Sequence, residues 1–190
     1  MREVLDKTDC ERNSYGWFRV RAFYYLTASL IDNKKAYGEA CELAEQAIRE
    51  YPNYVEFFCL YGIAMYQREQ FENALTAFKN AEKLAAEGKM GGLSIHHVEE
   101  LCNYLVLTYM KLGKSGDALR YAASYLRSYK QHETMLTFYM RILRSKENPE
   151  NTVKFLSEIY DYENVSDKTL LLRCAKGMGD AALTQLFSNL

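Results

Sequence analysis

The chain has 190 residues, of which 48% are hydrophobic and 26% are charged, a composition that is typical of globular proteins and argues against disorder. Its 24 basic and 25 acidic residues give a net charge of −1 and exclude the basic excess on which electrostatic binding of nucleic acid depends. Two prolines and ten glycines are too few for a turn-rich all-β protein, so we expect a helical fold.

The N-terminal segment, residues 1–14, has no apolar core, so we expect no signal peptide. The longest apolar stretch, residues 22–31, is ten residues long, whereas a helix that spans a membrane needs about 20 residues. We therefore expect a cytoplasmic protein without a membrane segment.

Five cysteines occur along the chain, an odd number with no CxxC pair among them. Disulfide frameworks and zinc sites show paired spacings, so the sequence favours five free thiols in a reducing compartment. Free cysteine behaves as a small apolar residue, and we expect Cys41 and Cys102 to be largely buried.

Residues 21–54 and residues 55–88 are two copies of one pattern, related by an offset of 34 positions. Within each copy, apolar residues recur at intervals of three and four on both sides of a short polar link, which predicts a pair of antiparallel helices. Apolar residues align at this offset without a gap: Tyr37 with Phe71, Ala40 with Ala74, Ala44 with Phe78 and Ala47 with Ala81.

Residues 99–132 form a third copy, whose positions follow those of the second by 44 residues rather than 34. The difference corresponds to a glycine-rich insertion over residues 87–94, which is predicted to be a loop. Residues 89–98 therefore comprise the inserted loop and the start of the next helix.

Small residues lie where the two helices of a pair are expected to cross, because a small side chain lets two backbones approach. In the second copy these residues are Gly62 and Ala74, which we expect to pack against each other. Pro52 is expected to end the first copy, since proline cannot continue a helix.

The last segment, residues 133–190, keeps helical patterning but loses the repeat, as expected for the end of a stacked array. Asn148 is expected to cap a helix that has Pro149 in its first turn, Ser166 to cap the next, and Gly177 to end it. Gly179 and Asp180 then open the last helix. The predicted helices span residues 134–143, 152–160, 167–176 and 181–188.

The repeated segments resemble the tetratricopeptide repeat (TPR) family, which has a 34-residue period. The best copy carries the residues of the family pattern: Phe58, Tyr61, Gly62, Tyr66, Phe71, Ala74, Phe78 and Ala81. The resemblance covers residues 15–130. It implies an all-α, right-handed superhelical solenoid of about five antiparallel helix pairs, arranged as a single array over residues 1–190.

Catalytic motifs are incomplete in this sequence. The stretch 113–115 resembles the end of a phosphate-binding loop but lacks the preceding glycine and strand, so we interpret it as a turn between helices. His96 and His97 lack enough further ligands for a metal site, and residues 161–163 fall in a connector. We expect a protein that is not an enzyme and that binds no metal or cofactor.

The first helix of each TPR-like pair is expected to line a concave surface, which is where such arrays bind partners. One alternative stays open, in which the C-terminal helices cover this surface or its residues are scattered. The residues predicted to form a partner-binding groove are Tyr25, Ser29, Cys59, Ile63, Tyr66, Asn103, Leu107 and Met110.

Some members of the TPR family hold the C-terminal carboxylate of a chaperone with a Lys-Asn-Asn-Lys-Arg clamp. None of the corresponding residues here is basic, so we expect no binding of chaperone tails. These residues are Tyr25, Ser29, Leu60, Glu100 and Tyr104.

Two functional hypotheses follow. The first is a protein–protein interaction module that binds an apolar peptide or helix of a partner in its concave groove. The alternative is an accessory domain of a larger enzyme, since the array also resembles the TPR region of some bacterial family-2 glycosyltransferases through Gly116-Asp117 and Gly179-Asp180. We expect a protein or peptide partner, no nucleic acid and no membrane, and the sequence leaves a homodimer open.

Overall fold

The computed structural model describes residue 12 and residues 14–32, 36–89 and 95–190, without the side chains of residues 23, 24, 26–32 and 95–98. Every regular element of these residues is an α-helix, which confirms the all-α fold class. The helices found in the described residues are α1 (Tyr15–Asp32), α2 (Ala36–Glu50), α3 (Val55–Gln67), α4 (Phe71–Ala86), α5 (Ile95–Lys111), α6 (Ser115–Ser128), α7 (Glu133–Arg144), α8 (Pro149–Leu156), α9 (Val165–Met178) and α10 (Ala181–Asn189).

The helices fall into two compact units, one that ends at Leu112 and one that spans Gly113–Leu190. In the first unit, consecutive helices pack on each other from α1 to α5, and α3 also contacts α1 and α5. In the second, α7 packs on α6, α8 and α9, while α10 packs on α8 and α9. Successive helix pairs that stack in this way are the packing pattern of an α-solenoid.

The boundary between the units falls inside the third predicted copy, residues 99–132. Its two helices, α5 and α6, therefore belong to different units. A single array over residues 1–190 and a right-handed superhelix remain predictions.

The core of the first unit combines small residues on α2 with large rings from its neighbours. Ala44 and Ala47 are fully buried, as expected for residues of one helix face, and so are Phe57 and Phe78. Because alanine occupies little space, α2 can lie close to the aromatic side chains of α1 and α3. The ring of Tyr15 on α1, for example, lies 5.6 Å from that of Phe57.

The crossing of α3 and α4 depends on Gly62, and the ring of Phe78 lies nearest to the space where its side chain would be. A Cβ atom at Gly62 would come within 2.5 Å of the Phe78 ring. The space left by the glycine is therefore filled by this ring, one turn along α4 from Ala74. Ala74 is fully buried in the same helix.

Local signals set several helix ends as predicted. Helix α2 ends at Glu50, two residues before Pro52. In the second unit, the Asn148 side chain caps α8 by accepting a hydrogen bond from the Asn151 backbone at 2.8 Å, and Pro149 is the first helical residue.

Helix α8 is shorter than predicted, because residues 157–160 leave the helix, although the last two of them remain in the core. Ile159 and Tyr160 are buried, and the Tyr160 hydroxyl donates to the Lys130 carbonyl at 2.7 Å. Their apolar spacing is typical of a continuing helix, but in the structure these residues anchor the connector to α9.

Both predicted ends of α9 were wrong. Asn164, not Ser166, is the N-cap, and its side chain accepts from the backbones of Ser166 and Asp167. The helix continues through Gly177 to Met178, and its C-cap is Gly179, which has a left-handed φ of 71°. Glycine adopts this conformation without the steric cost that other residues incur.

Candidate functional site

The predicted groove residues that the structure describes come from α1, α3 and α5 of the first unit, and their exposure differs sharply. Tyr25, Tyr66, Asn103 and Leu107 are half-buried, and Met110 is exposed. Ser29 lies outside the described side chains. Because α3 contacts both α1 and α5, the helices that carry these residues are neighbours in the first unit, and a common groove remains a prediction.

Cys59 and Ile63 do not provide free surface, which corrects their assignment to the groove. They are only 6% and 7% exposed, because α1 and α5 pack against α3 from both sides. Burial, followed by the nearby carboxylates of Glu100 and Glu56, raises the pKa of Cys59 to about 12. This thiol is therefore an uncharged packing group.

Tyr66 is held by other aromatic rings. Its ring centroid lies 5.4 Å from that of Phe71 on α4 and 5.4 Å from that of Tyr104 on α5. Tyr104 in turn stacks on Phe78 at 5.8 Å. Burial raises the pKa of Tyr66, so its hydroxyl is neutral. The ring is thus fixed in place, and part of it stays accessible.

Helix α5 carries the most accessible part of the predicted groove. Asn103, Leu107 and Met110 follow one another at spacings of four and three and so share one helix face, here called the α5 strip. Leu105, on the other side of the same helix, is fully buried. The α5 strip is therefore the solvent-facing side of an otherwise core-forming helix.

Asn103 has an unsatisfied polar atom. Its Oδ1 atom is buried and has no hydrogen-bond partner among the described residues. A buried acceptor without a partner costs about 1–3 kcal/mol, so such atoms are uncommon in folded proteins.

The first unit has a second surface feature, a cleft that the sequence did not predict. A cleft of about 380 Å³, here called the outer cleft, lies between α2 and α4 with α3 at its base. The only signal in the sequence was a run of uncharged residues along one face of α4. The outer cleft is lined by Glu45, Ile48, Arg49, Phe58, Tyr61, Asn73, Thr76, Ala77 and Asn80.

The second unit contains a related cleft of about 460 Å³ between α6, α7 and α8. Its apolar floor includes Tyr139 and Leu143, and Phe155 at its edge is 39% exposed. Both basic and acidic side chains line it, and two of them, Arg127 and Glu158, lie 4.0 Å apart.

The described residues contain no group of three or more His, Cys, Asp or Glu side chains placed to bind a metal ion. The side chains of His96 and His97 lie outside the described part. Asp161, from the acidic connector, is engaged locally: its carboxylate accepts from the Glu163 backbone at 3.0 Å. Gly113, with a φ of 71°, lies in the turn between α5 and α6.

No family model matches the sequence, and a search of curated proteins gives no significant match. Within the described ranges, no helix is both long enough and apolar enough to cross a membrane.

Proposed function

We propose that the chain is a TPR-type interaction module whose first unit binds an apolar peptide or helix of a partner protein. The binding surface consists of Tyr66 and the α5 strip. The observation that carries this proposal is the α5 strip itself, where an exposed methionine and a half-exposed leucine adjoin an amide with an unpaired oxygen.

Apolar contact is the first contribution to such binding. Met110 is 36% exposed and lies one turn from Leu107 on the same face. Methionine adapts its shape to different partners, and apolar area buried by a partner contributes about 25 cal/mol per Å² before the cost of ordering.

Tyr66 contributes a rigid aromatic group. Because Phe71 and Tyr104 already hold its ring, binding restricts this side chain little further. Aromatic residues of this kind often dominate the energy of an interface.

Asn103 supplies polar recognition. Rotation of its amide would bring the unpaired oxygen toward the surface, where a backbone N–H of the partner can donate to it. Such a hydrogen bond removes the cost of the buried, unsatisfied acceptor.

The test is affinity capture with the full chain as bait, followed by titration calorimetry with the captured partner. Tyr66→Ala is expected to weaken binding by about 1–3 kcal/mol, and Met110→Ser to weaken it as well, with unchanged helical circular dichroism. Val165→Ser is the matched control, because Val165 is 78% exposed and belongs to the second unit.

If Tyr66→Ala and Met110→Ser bind the partner with the same affinity as the control Val165→Ser, the proposal is contradicted. Unfolding of the Tyr66→Ala chain would contradict it as well, because Tyr66 would then be a core residue and the surface would lack its anchor.

A further inference from the structure

The outer cleft has the chemistry of a second binding site. It shares no residue with Tyr66 or the α5 strip, so it extends beyond the function proposed above. Its volume of about 380 Å³ lies within the range of about 300–1,000 Å³ that is usual for ligand pockets.

The α4 wall of the outer cleft is uncharged along its whole length. Exposed residues elsewhere on this helix, such as Glu72, Lys79 and Glu82, are charged. An exposed helix face without charge is suited to a neutral, hydrogen-bonding ligand. The wall residues are Asn73, Thr76, Ala77 and Asn80.

The two asparagines are spaced to hold an extended backbone. Asn73 and Asn80 lie seven positions apart, which is about 10 Å along a helix. Three residues of an extended chain also span about 10 Å. A carboxamide can donate to a peptide carbonyl and accept from a peptide N–H. Among the described residues, Asn73 forms only an exposed hydrogen bond to Gln70 at 3.2 Å, which a ligand can displace.

The α2 wall of the outer cleft carries one acidic and one basic side chain, Glu45 and Arg49. Glu45 accepts a hydrogen bond from the Tyr61 hydroxyl at 3.0 Å. Partial burial and this hydrogen bond raise the pKa of Tyr61 to about 12, so the phenol remains a donor to Glu45. Among the described residues, none forms an ion pair with Arg49. Its guanidinium is therefore available to a carboxylate of a ligand.

The base of the outer cleft is apolar. Phe58 and Tyr61 of α3 are half-buried there, and Ile48 of α2 lies beside them. An aromatic and aliphatic surface below two polar walls can accept one apolar side chain.

We propose that the outer cleft binds an extended peptide segment of a partner protein that carries an acidic side chain close to an apolar one. The acidic side chain pairs with Arg49, the apolar one lies on Phe58 and Tyr61, and the backbone between them hydrogen-bonds to Asn73 and Asn80.

The experiment selects a phage-display library of short random peptides on the full chain and measures the Kd of an enriched peptide by fluorescence anisotropy. Enriched peptides are expected to share an acidic residue near an apolar one. Arg49→Glu should raise the Kd by about tenfold or more, because it turns attraction into repulsion.

Lys83→Glu is the matched control. Lys83 occupies the corresponding last turn of α4 and is exposed but lies outside the outer cleft, so both variants weaken the same favourable interaction with a helix C-terminus. Asn80→Ala should weaken binding of the peptide, whereas Glu82→Ala, on the opposite face of α4, should not. Met110→Ser should also leave it unchanged, which separates this site from the α5 strip.

Three results would overturn the inference. The first is the absence of any enriched peptide. The second is enrichment of basic peptides, which would assign recognition to Glu45. The third is an equal loss of affinity in Arg49→Glu and Lys83→Glu.

Discussion

At the scale of single residues, Gly62 determines how closely α3 and α4 can approach. The Phe78 ring fills the space beside it, and the same ring stacks on Tyr104 of α5. Tyr104 then supports Tyr66 in the proposed binding surface. The small size of Gly62 thus affects the proposed binding surface through a chain of three aromatic rings, those of Phe78, Tyr104 and Tyr66 itself.

Gly62→Ala is expected to lower the free energy of unfolding by about 1–3 kcal/mol, since the new Cβ would lie 2.5 Å from the Phe78 ring and force it to move. Guanidinium denaturation followed by circular dichroism measures the change. Gly38→Ala on α2 is the control, because a Cβ there meets nothing within 4 Å. It should be neutral or stabilising by up to about 1 kcal/mol. Equal effects of the two substitutions would contradict this account of Gly62.

The spacing of residues along a helix face predicted the burial of two cysteines correctly, but it wrongly placed two residues of α3 at the surface. Cys41 and Cys102 are 3% and 7% exposed, as expected from their positions. Cys59 and Ile63 were expected at the surface, because their own helix places them away from the stripe that meets α4. They are buried because α3 has neighbours on both sides, and a pattern within one helix contains no information about how closely those neighbours pack.

At the scale of helices, ends with a single strong signal were predictable and ends with two competing signals were not. The caps of α8 and α10, Asn148 and Asp180, each follow from one polar residue at the right place. Near the end of α9, Gly177 and Gly179 are equally good candidates by residue type. The structure selects Gly179, whose backbone is left-handed, and Asp180 then begins α10 immediately.

Asp180 joins two helices of the second unit and should make its stability depend on pH. Its carboxylate caps α10 by accepting from the Leu183 backbone at 3.0 Å and also accepts from Arg144 of α7 at 2.7 Å. Partial burial acts to raise the pKa of Asp180, but the hydrogen bonds from Leu183 and Arg144 outweigh it and hold the pKa below its usual value.

Because the pKa of Asp180 is lower in the folded chain, protons bind the unfolded chain more readily. The stabilisation is complete above the unfolded pKa of about 3.9 and is lost as the pH falls through the folded value. Urea denaturation should therefore show that the free energy of unfolding falls between pH 7 and pH 3, and that it falls less in Asp180→Asn than in the wild type. Asparagine keeps the cap but not the charge. Asp180→Ala should lose about 1–2 kcal/mol at pH 7. Identical pH profiles for the wild type and Asp180→Asn would refute this role.

At the scale of the whole chain, the 34-residue period predicted the all-α class and the succession of helix pairs, but not the division at Leu112. A period shows which positions recur from copy to copy. The boundary of a compact unit depends on many contacts between residues that are distant in sequence. A local sequence pattern contains no information about those contacts. The outer cleft was missed for a similar reason, because three helices contribute to it.

The second unit has a hydrophobic core of its own, so Gly113–Leu190 is expected to fold when it is expressed alone. Arg144 and Asp180 connect its helices, as do Tyr160 and Lys130. Its largest fully buried side chains are Leu126, Met135, Leu136, Met140, Leu156, Leu170, Leu171 and Phe187.

The isolated segment should give a helical circular dichroism spectrum and a cooperative thermal transition. Leu171→Ala should lower the midpoint or abolish the transition, since removing a fully buried leucine side chain costs about 2–5 kcal/mol. Val165→Ala, at an exposed position, should change the stability by no more than about 0.5 kcal/mol. A segment without a cooperative transition would show that these core residues are insufficient without the first 112 positions of the chain.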